Sequence, residues 1–294
     1  MTNTACLGVP AFSNPAVYAA MTTRDGGVSV SPWLSWNLGD HVGDEATHVA
    51  ANRCLLQERL AALAAPPAGN VASTGQNGGN AVAGLRMAWA RQVHGASVAV
   101  VGAQPDSVKP EADALLTCEQ GVACCILVAD CLPVLFAHRH LPLVAAAHAG
   151  WRGLCGQSGL GVVESTLAAL ADQAGQSLVS MARDLEVWLG PCIGPAAFEV
   201  GSEVHDAFER GYRGDGQCFT AGRTHGKWWA DLAALARLRL SRAGVTHVDG
   251  NDSTPPWCTA GNPQRYFSHR AEASVLGSTG RMAACIGIKQ SWAC

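Results

Sequence analysis

Three side chains stand where apolar runs stop. His94 ends "LRMAWARQVHG", Cys131 ends "GVACCILVADC", and His148 lies in "AAAHAGWRG" at residues 145–153. Two imidazoles and a thiolate make a borderline-soft donor set that suits zinc, with copper as the alternative ion. Three protein ligands leave a fourth tetrahedral position for water or substrate, which is the catalytic pattern. The same atoms support a second chemistry without metal. Cys131 beside His148 is a thiolate–imidazole pair, nucleophile and base, with Asp130 either orienting a histidine or simply ending the strand. Residue types and spacing leave both open.

Anion binding is the next chemistry the residues offer. Arg24 and Arg152 each lie next to or near glycines that allow close backbone approach. Asn37 and His41 in "WNLGDHVGD" are candidates for the same pocket, although Asn, Asp and Gly also suit ordinary turns. Ala149, Gly150 and Gly153 have a ready purpose beside such a site, keeping bulk away from a substrate. Other motifs fall away. "HRH" at 138–140 resembles a copper pair but occupies a turn and has no His-Cys-His partner. The zinc-deaminase signature is absent, since "HAG" lacks the glutamate and "PCIG" the second cysteine. "TRDGGVS" has neither a Walker lysine nor a G-x-G-x-x-G pattern.

The elements around these residues explain how they could meet. "PVLFAH" (133–138) and "PLVAAA" (142–147) flank the turn "RHL", which predicts a hairpin. If residue 138 pairs near 142, residue 132 falls near 148, and Cys131 lies beside His148. Residues 121–131 form a continuous apolar run, the pattern of a strand covered on both faces. Helices are expected over 45–63, 161–173 and 227–244, the last with Leu232, Leu235 and Leu238 on one face and Gly244 as its stop. "LEVWLGPCIG" and "RMAACIGIK" read as further strands. Strands alternating with helices predict one α/β domain over 1–294, a mixed β-sheet flanked by helices. Residues 64–83, small, polar and rich in Gly, Pro and Asn, read as a flexible insertion.

Composition sets the outer limits. The chain of 294 residues is 48% hydrophobic and 15% charged with a net charge of −3, which argues against nucleic acid or an anionic membrane as its main partner. The amino terminus does not read as a secretory signal and no stretch reads as a membrane span, so a cytoplasmic protein is expected. Its twelve cysteines form no C-x-x-C pair, and most are expected to be reduced, buried and inert.

The ordered blocks "TTRDGGVS", "WNLGDHVGDE", "RQVHG", "ADALLT", "ADCLPVLFA", "AAAHAGWRG", "LGPCIGP", "YFSHR" and "STGRMAACI" resemble the laccase-domain, or YfiH-like, family. That resemblance covers roughly residues 17–288. It implies a single domain related to bacterial-toxin-like cysteine hydrolases, with zinc held by His94, Cys131 and His148. The activity it implies is phosphorolysis of adenosine, inosine, guanosine or methylthioadenosine to a base and a sugar 1-phosphate, with adenosine deamination as a further activity. Arg152, with Arg24, would then hold phosphate. Peptidoglycan-precursor editing and copper-dependent phenol oxidation are the family's other implied activities. Two departures bear on substrate preference: Ala271 stands where a second arginine is frequent, and Ala197-Phe198 where Cys-Tyr is frequent.

Overall fold

A computed structural model describes residues 6–65, 84–104, 108–212 and 214–289. Most of the segment read as an insertion, residues 66–83, lies outside the described residues. The fold is α+β, built on two stacked mixed sheets and a smaller third. The first sheet orders β1 (Leu7–Gly8), β2 (Val17–Thr22), β14 (Met282–Ile288), β6 (Val122–Val128) and β3 (Arg86–Trp89). The second orders β13 (His247–Gly250), β9 (Leu185–Leu189), β7 (Leu132–His138), β8 (Val144–Ala149), β5 (Ala114–Thr117) and β4 (Val98–Val100). Parallel pairs β3–β6, β4–β5 and β9–β13 sit among antiparallel ones, so both sheets are mixed. A small antiparallel sheet orders β10 (Glu199–Gly201), β12 (Lys227–Ala230) and β11 (Phe219–Ala221).

Where one sheet was expected, the main strands form two large sheets beside the small third, and the run at 121–131 explains the stacking. Every residue of β6 is buried, because its faces look in two directions. Cys124, Ile126 and Val128 pack with Leu135 and Ala146 of the second sheet. Ala123, Cys125 and Leu127 instead meet Leu56 and Leu60 of α1 (Ala46–Ala64). The outer face of the second sheet is covered by α2 (Trp151–Cys155), α3 (Val162–Ala174), α4 (Leu178–Asp184), α5 (Ser202–Gly211) and α6 (Leu232–Arg242). The layers therefore run helix, sheet, sheet, helices, and α7 (His269–Leu276) comes between β13 and β14 in the chain.

Two local expectations need correction. Residues 227–230 form β12 rather than the start of a helix. Their backbone pairs on both sides with β10 and β11. Asp231 then caps α6 by accepting the Ala234 N–H at 2.9 Å, which starts the helix at Leu232. Leu232 and Leu235 are buried, whereas Leu238 is only half-buried. In the hairpin, Ala137 pairs with Val144 and Pro133 with His148, one residue off the expected register. Pro142 has no N–H to give a pair with His138. The turn instead closes through the His138 N–H to the Leu143 carbonyl at 2.9 Å.

Candidate active site

The one-residue slip leaves the neighbourhood intact. Cys131 immediately precedes β7, and His148 lies in β8 opposite Pro133. His94 arrives from the loop after β3 with a positive φ of 60°, an uncommon conformation for a residue other than glycine. One donor atom from each of His94, Cys131 and His148 lies within 4.8 Å of the others, with His148 buried, Cys131 half-buried and His94 exposed. Among the described residues this is the one His/Cys/Asp/Glu group of three or more so gathered. Gly150 makes the gathering possible, because a Cβ there would sit 3.0 Å from the Cys131 Sγ and 3.1 Å from the His94 Cδ2. Gly153 serves packing in the same way, since its Cβ would fall 2.6 Å from the Gly95 carbonyl oxygen. Both glycines let chain segments close on one another.

Asp113, ahead of β5 and fully buried, holds the two histidines together. Its Oδ1 accepts the His94 N–H at 2.9 Å and faces the His148 Nδ1 at 2.9 Å. Its Oδ2 accepts the Gly95 and Val93 N–H groups at 2.6 and 3.2 Å. Burial works against the Asp113 carboxylate, but His148 and these N–H donors outweigh it and lower its pKa. With Nδ1 committed to Asp113, His148 turns Nε2 toward the cluster, the orientation that carboxylate-backed metal histidines adopt. Burial also opposes ionisation of the Cys131 thiol, yet the neighbouring His148 and His94 bring its pKa down. The His148 imidazole is raised in turn, Cys131 and Asp113 overcoming the burial that pulls it down. Thiolate character, a backed imidazole and an open side fit a metal ion held by His94, Cys131 and His148.

The cluster forms part of the wall of a cavity of about 880 Å³. That is room enough for a small-molecule substrate. Of the expected anion binders, Arg152 and His41 line it. Arg152 is exposed and stacks over Trp151 at 4.4 Å. His41 lies beside Asp40, whose carboxyl is held well below the usual range by His41, Lys109 and Arg53 against the opposing effect of burial.

Arg24 and Asn37 do not line the cavity, for clear physical reasons. The Arg24 Nη1 donates to Glu272 at 2.5 Å and to the Pro263 carbonyl at 2.6 Å, its Nε donates to the Leu34 carbonyl, and the guanidinium lies over Phe267. Asn37 is fully buried and brackets a turn, accepting the Gly39 and Arg281 N–H groups and donating to Asp44. Both are internal ties.

Two cations of the cavity were not singled out from the sequence, although their motifs were. Arg270 of "YFSHR" donates to the Glu199 carbonyl and lies over Phe198. Arg281 of "STGRMAACI" donates to the Thr279 and Gly280 carbonyls, and burial pulls its pKa down against the opposing charges of Cys131 and Asp130. Neither Arg270, Arg281 nor Arg152 has a carboxylate ion-pair partner among the described residues. Asp113 was missed as well. Its signal was an acid standing directly before a mostly apolar run, Ala114–Thr117.

The family described as multi-copper polyphenol oxidoreductase laccase matches residues 18–289. The chain belongs to this family. Curated relatives carry the name purine nucleoside phosphorylase, among them proteins of two bacteria. One, from Pseudomonas aeruginosa, is 40% identical over 281 residues, spanning 95% of this chain and 97% of its own. YfiH of Escherichia coli is 41% identical over 280 residues with the same coverage. Among solved structures, a Neisseria meningitidis protein of the DUF152 family superposes with a TM-score of 0.78 at 37% identity, covering 97% of this chain and all of its own. YlmD of Geobacillus stearothermophilus gives 0.75 at 29% identity, with 95% and 94% covered. The family description speaks of several coppers, whereas the described residues of this member gather one three-ligand cluster.

Proposed function

We propose that this chain is a zinc-dependent purine nucleoside phosphorylase acting on adenosine, inosine, guanosine or methylthioadenosine. One observation carries the reading. A His-Cys-His cluster shares a cavity with Arg152, Arg270 and Arg281, three guanidiniums lacking a carboxylate partner among the described residues. Guanidiniums without a close carboxylate partner beside a reactive centre suit an anionic co-substrate. The names of the Pseudomonas and Escherichia relatives support the same class of reaction.

In this reaction a phosphate oxygen bonds to C1′ of the sugar and the N-glycosidic bond breaks. The bonding pair leaves with the base, which takes up a proton, and the products are free base and sugar 1-phosphate. The three arginines bind and orient phosphate, with His41 at the same cavity. Trp89, Phe198 and Ile193 supply apolar surface for the base. His94, Cys131 and His148 would hold the zinc ion, whose Lewis acidity would also suit deamination of adenosine. We read the enzyme as cytoplasmic and as one domain; no described helix is long and apolar enough to cross a membrane.

Incubation with inosine or adenosine and phosphate should release base in proportion to phosphate consumed, and treatment with a chelator should stop it. A protein with one zinc per chain that releases no base from any of the four nucleosides would defeat the reading.

The aligned Asp113, His148 and Cys131 favour a second reading, a thiol hydrolase editing a peptidoglycan precursor. Metal-free protein that cleaves a serine-bearing muramyl precursor would decide for it. Phenol oxidation that disappears on copper removal would instead mark a copper oxidase.

A further inference from the structure

Asp130 lies between β6 and β7 with φ at +84°, a strained conformation for a residue other than glycine. What holds it there is unusually complete. The carboxylate is buried; Oδ1 accepts the Thr259 hydroxyl at 2.5 Å and Oδ2 accepts the Arg270 backbone N–H at 2.6 Å. Its own carbonyl accepts the Ile193 N–H at 2.9 Å. Arg270 is the second residue of α7, so the carboxylate meets an N–H at the start of that helix, where the helix dipole favours negative charge. Ser268 caps the same end by accepting the Ala271 N–H at 3.1 Å. One side chain thereby ties together two parts of the cavity. Cys131, the thiolate of the cluster, follows it in sequence, while His269 and Arg270 line the cavity from α7.

We propose that Asp130 is a positioning residue that fixes the thiolate of Cys131 and the guanidinium of Arg270 relative to each other. Metal retention and anion binding then both depend on this one carboxylate. The inference rests on the reading of Arg270 as an anion-binding group in the proposed function. Asparagine at this position keeps the geometry, because its oxygen can accept the Arg270 N–H while its amide donates to the Thr259 hydroxyl. Alanine keeps neither bond.

The test measures inorganic phosphate binding by equilibrium dialysis, and zinc retention against a chelator, on intact zinc-loaded protein. Asp130→Ala should weaken phosphate binding roughly tenfold and zinc retention by about 10–100-fold, as loss of outer-shell support does elsewhere. Asp130→Asn should restore both to within about twofold. In an Arg270→Ala background, which keeps the backbone N–H, Asp130→Ala should cost no further phosphate affinity but should still release zinc. Thr259→Val, a milder change, should shift both quantities in the same direction and serves if the alanine variant does not fold. Wild-type binding in Asp130→Ala or Thr259→Val would overturn the proposal, and so would losses of phosphate affinity that simply multiply in the double variant. None of these readouts requires turnover. Failure of the wild-type protein to phosphorolyse nucleosides would count against the function, while the response of zinc and phosphate to substitution would still judge Asp130.

Discussion

The β7–β8 hairpin carries histidines toward both of its ends, and the two imidazoles are used in opposite ways. At the open end, His148 commits Nδ1 to the buried Asp113 and turns its other nitrogen toward Cys131 and His94. At the turn, the His138 Nδ1 accepts the N–H groups of His140 and Leu141 at 3.1 and 3.0 Å. Both rings are buried. An imidazole that accepts from backbone is a neutral turn cap with its lone pair occupied, whereas one that faces a carboxylate is held in the tautomer a metal ligand requires. Burial and residue type do not separate these roles. The partner at Nδ1 does.

The largest expected effect comes from removing a ligand at the open end. Cys131→Ala should lose bound zinc, and phosphorolysis should fall by at least about 10³-fold, as losses of central electrostatic groups do. His148→Ala should match that loss and also destabilise the fold by about 3–5 kcal/mol, since Asp113 is left charged, buried and without its ionic partner. Metal content by elemental analysis, base release and chemical denaturation separate the two. Equal stability of both variants would show that Asp113 does not depend on His148.

Asp113 sharpens the same contrast. Asp113→Ala removes the acceptor for three N–H groups and the His148 ring together. Zinc affinity should fall about 10–100-fold, measured by chelator competition, with His94 and His148 still present. Unchanged affinity would mean that the histidines are placed by their strands alone.

These effects bear on what was legible beforehand. The trio was legible because each member ended an apolar run and the hairpin brought two of them close. A slip of one register position did not matter to residues so near the strand ends. Asp113 was hidden because it meets three backbone N–H groups and a histidine ring 35 positions away, and neither contact shows in local side-chain spacing. Arg24 and Asn37 lie outside the cavity for the converse reason. Residues of the right type beside turn glycines were claimed by Glu272, Asp44 and backbone carbonyls, partners up to 248 positions away in sequence. The doubling of the sheet escaped because an apolar strand looks alike whether a helix or another sheet covers it.

Arginines give an intermediate effect that widens the comparison to cation partners. Arg152→Ala should raise the KM for phosphate about tenfold and leave the melting temperature nearly unchanged, since the side chain is exposed and forms no ion pair among the described residues. Arg24→Ala should do the reverse. It should lower stability by about 1–3 kcal/mol by freeing Glu272 and three carbonyls, with the KM for phosphate unchanged. A KM effect for Arg24→Ala and none for Arg152→Ala would exchange their roles.

The smallest effect lies at the turn, where His138 should influence stability and its pH dependence without touching catalysis. Burial lowers its pKa and the neighbouring His140 pushes the same way, whereas the Gln176 amide and the Asp184 charge oppose them; the net direction is down. A histidine with a depressed folded pKa binds a proton more readily when unfolded. Its contribution is therefore present above the unfolded value of about 6.5 and is lost as pH falls through the lower folded value. Protonating Nδ1 would also turn an acceptor of two backbone N–H groups into a donor facing them. His138→Gln removes this titration, so the stability gap between wild type and variant should narrow on acidification from pH 7.5 to pH 5. Base release per zinc-loaded chain at pH 7.5 should be the same for both. A gap that stays constant with pH would mean that His138 is not held neutral by its turn, and the contrast with His148 would lose its basis in the Nδ1 partner.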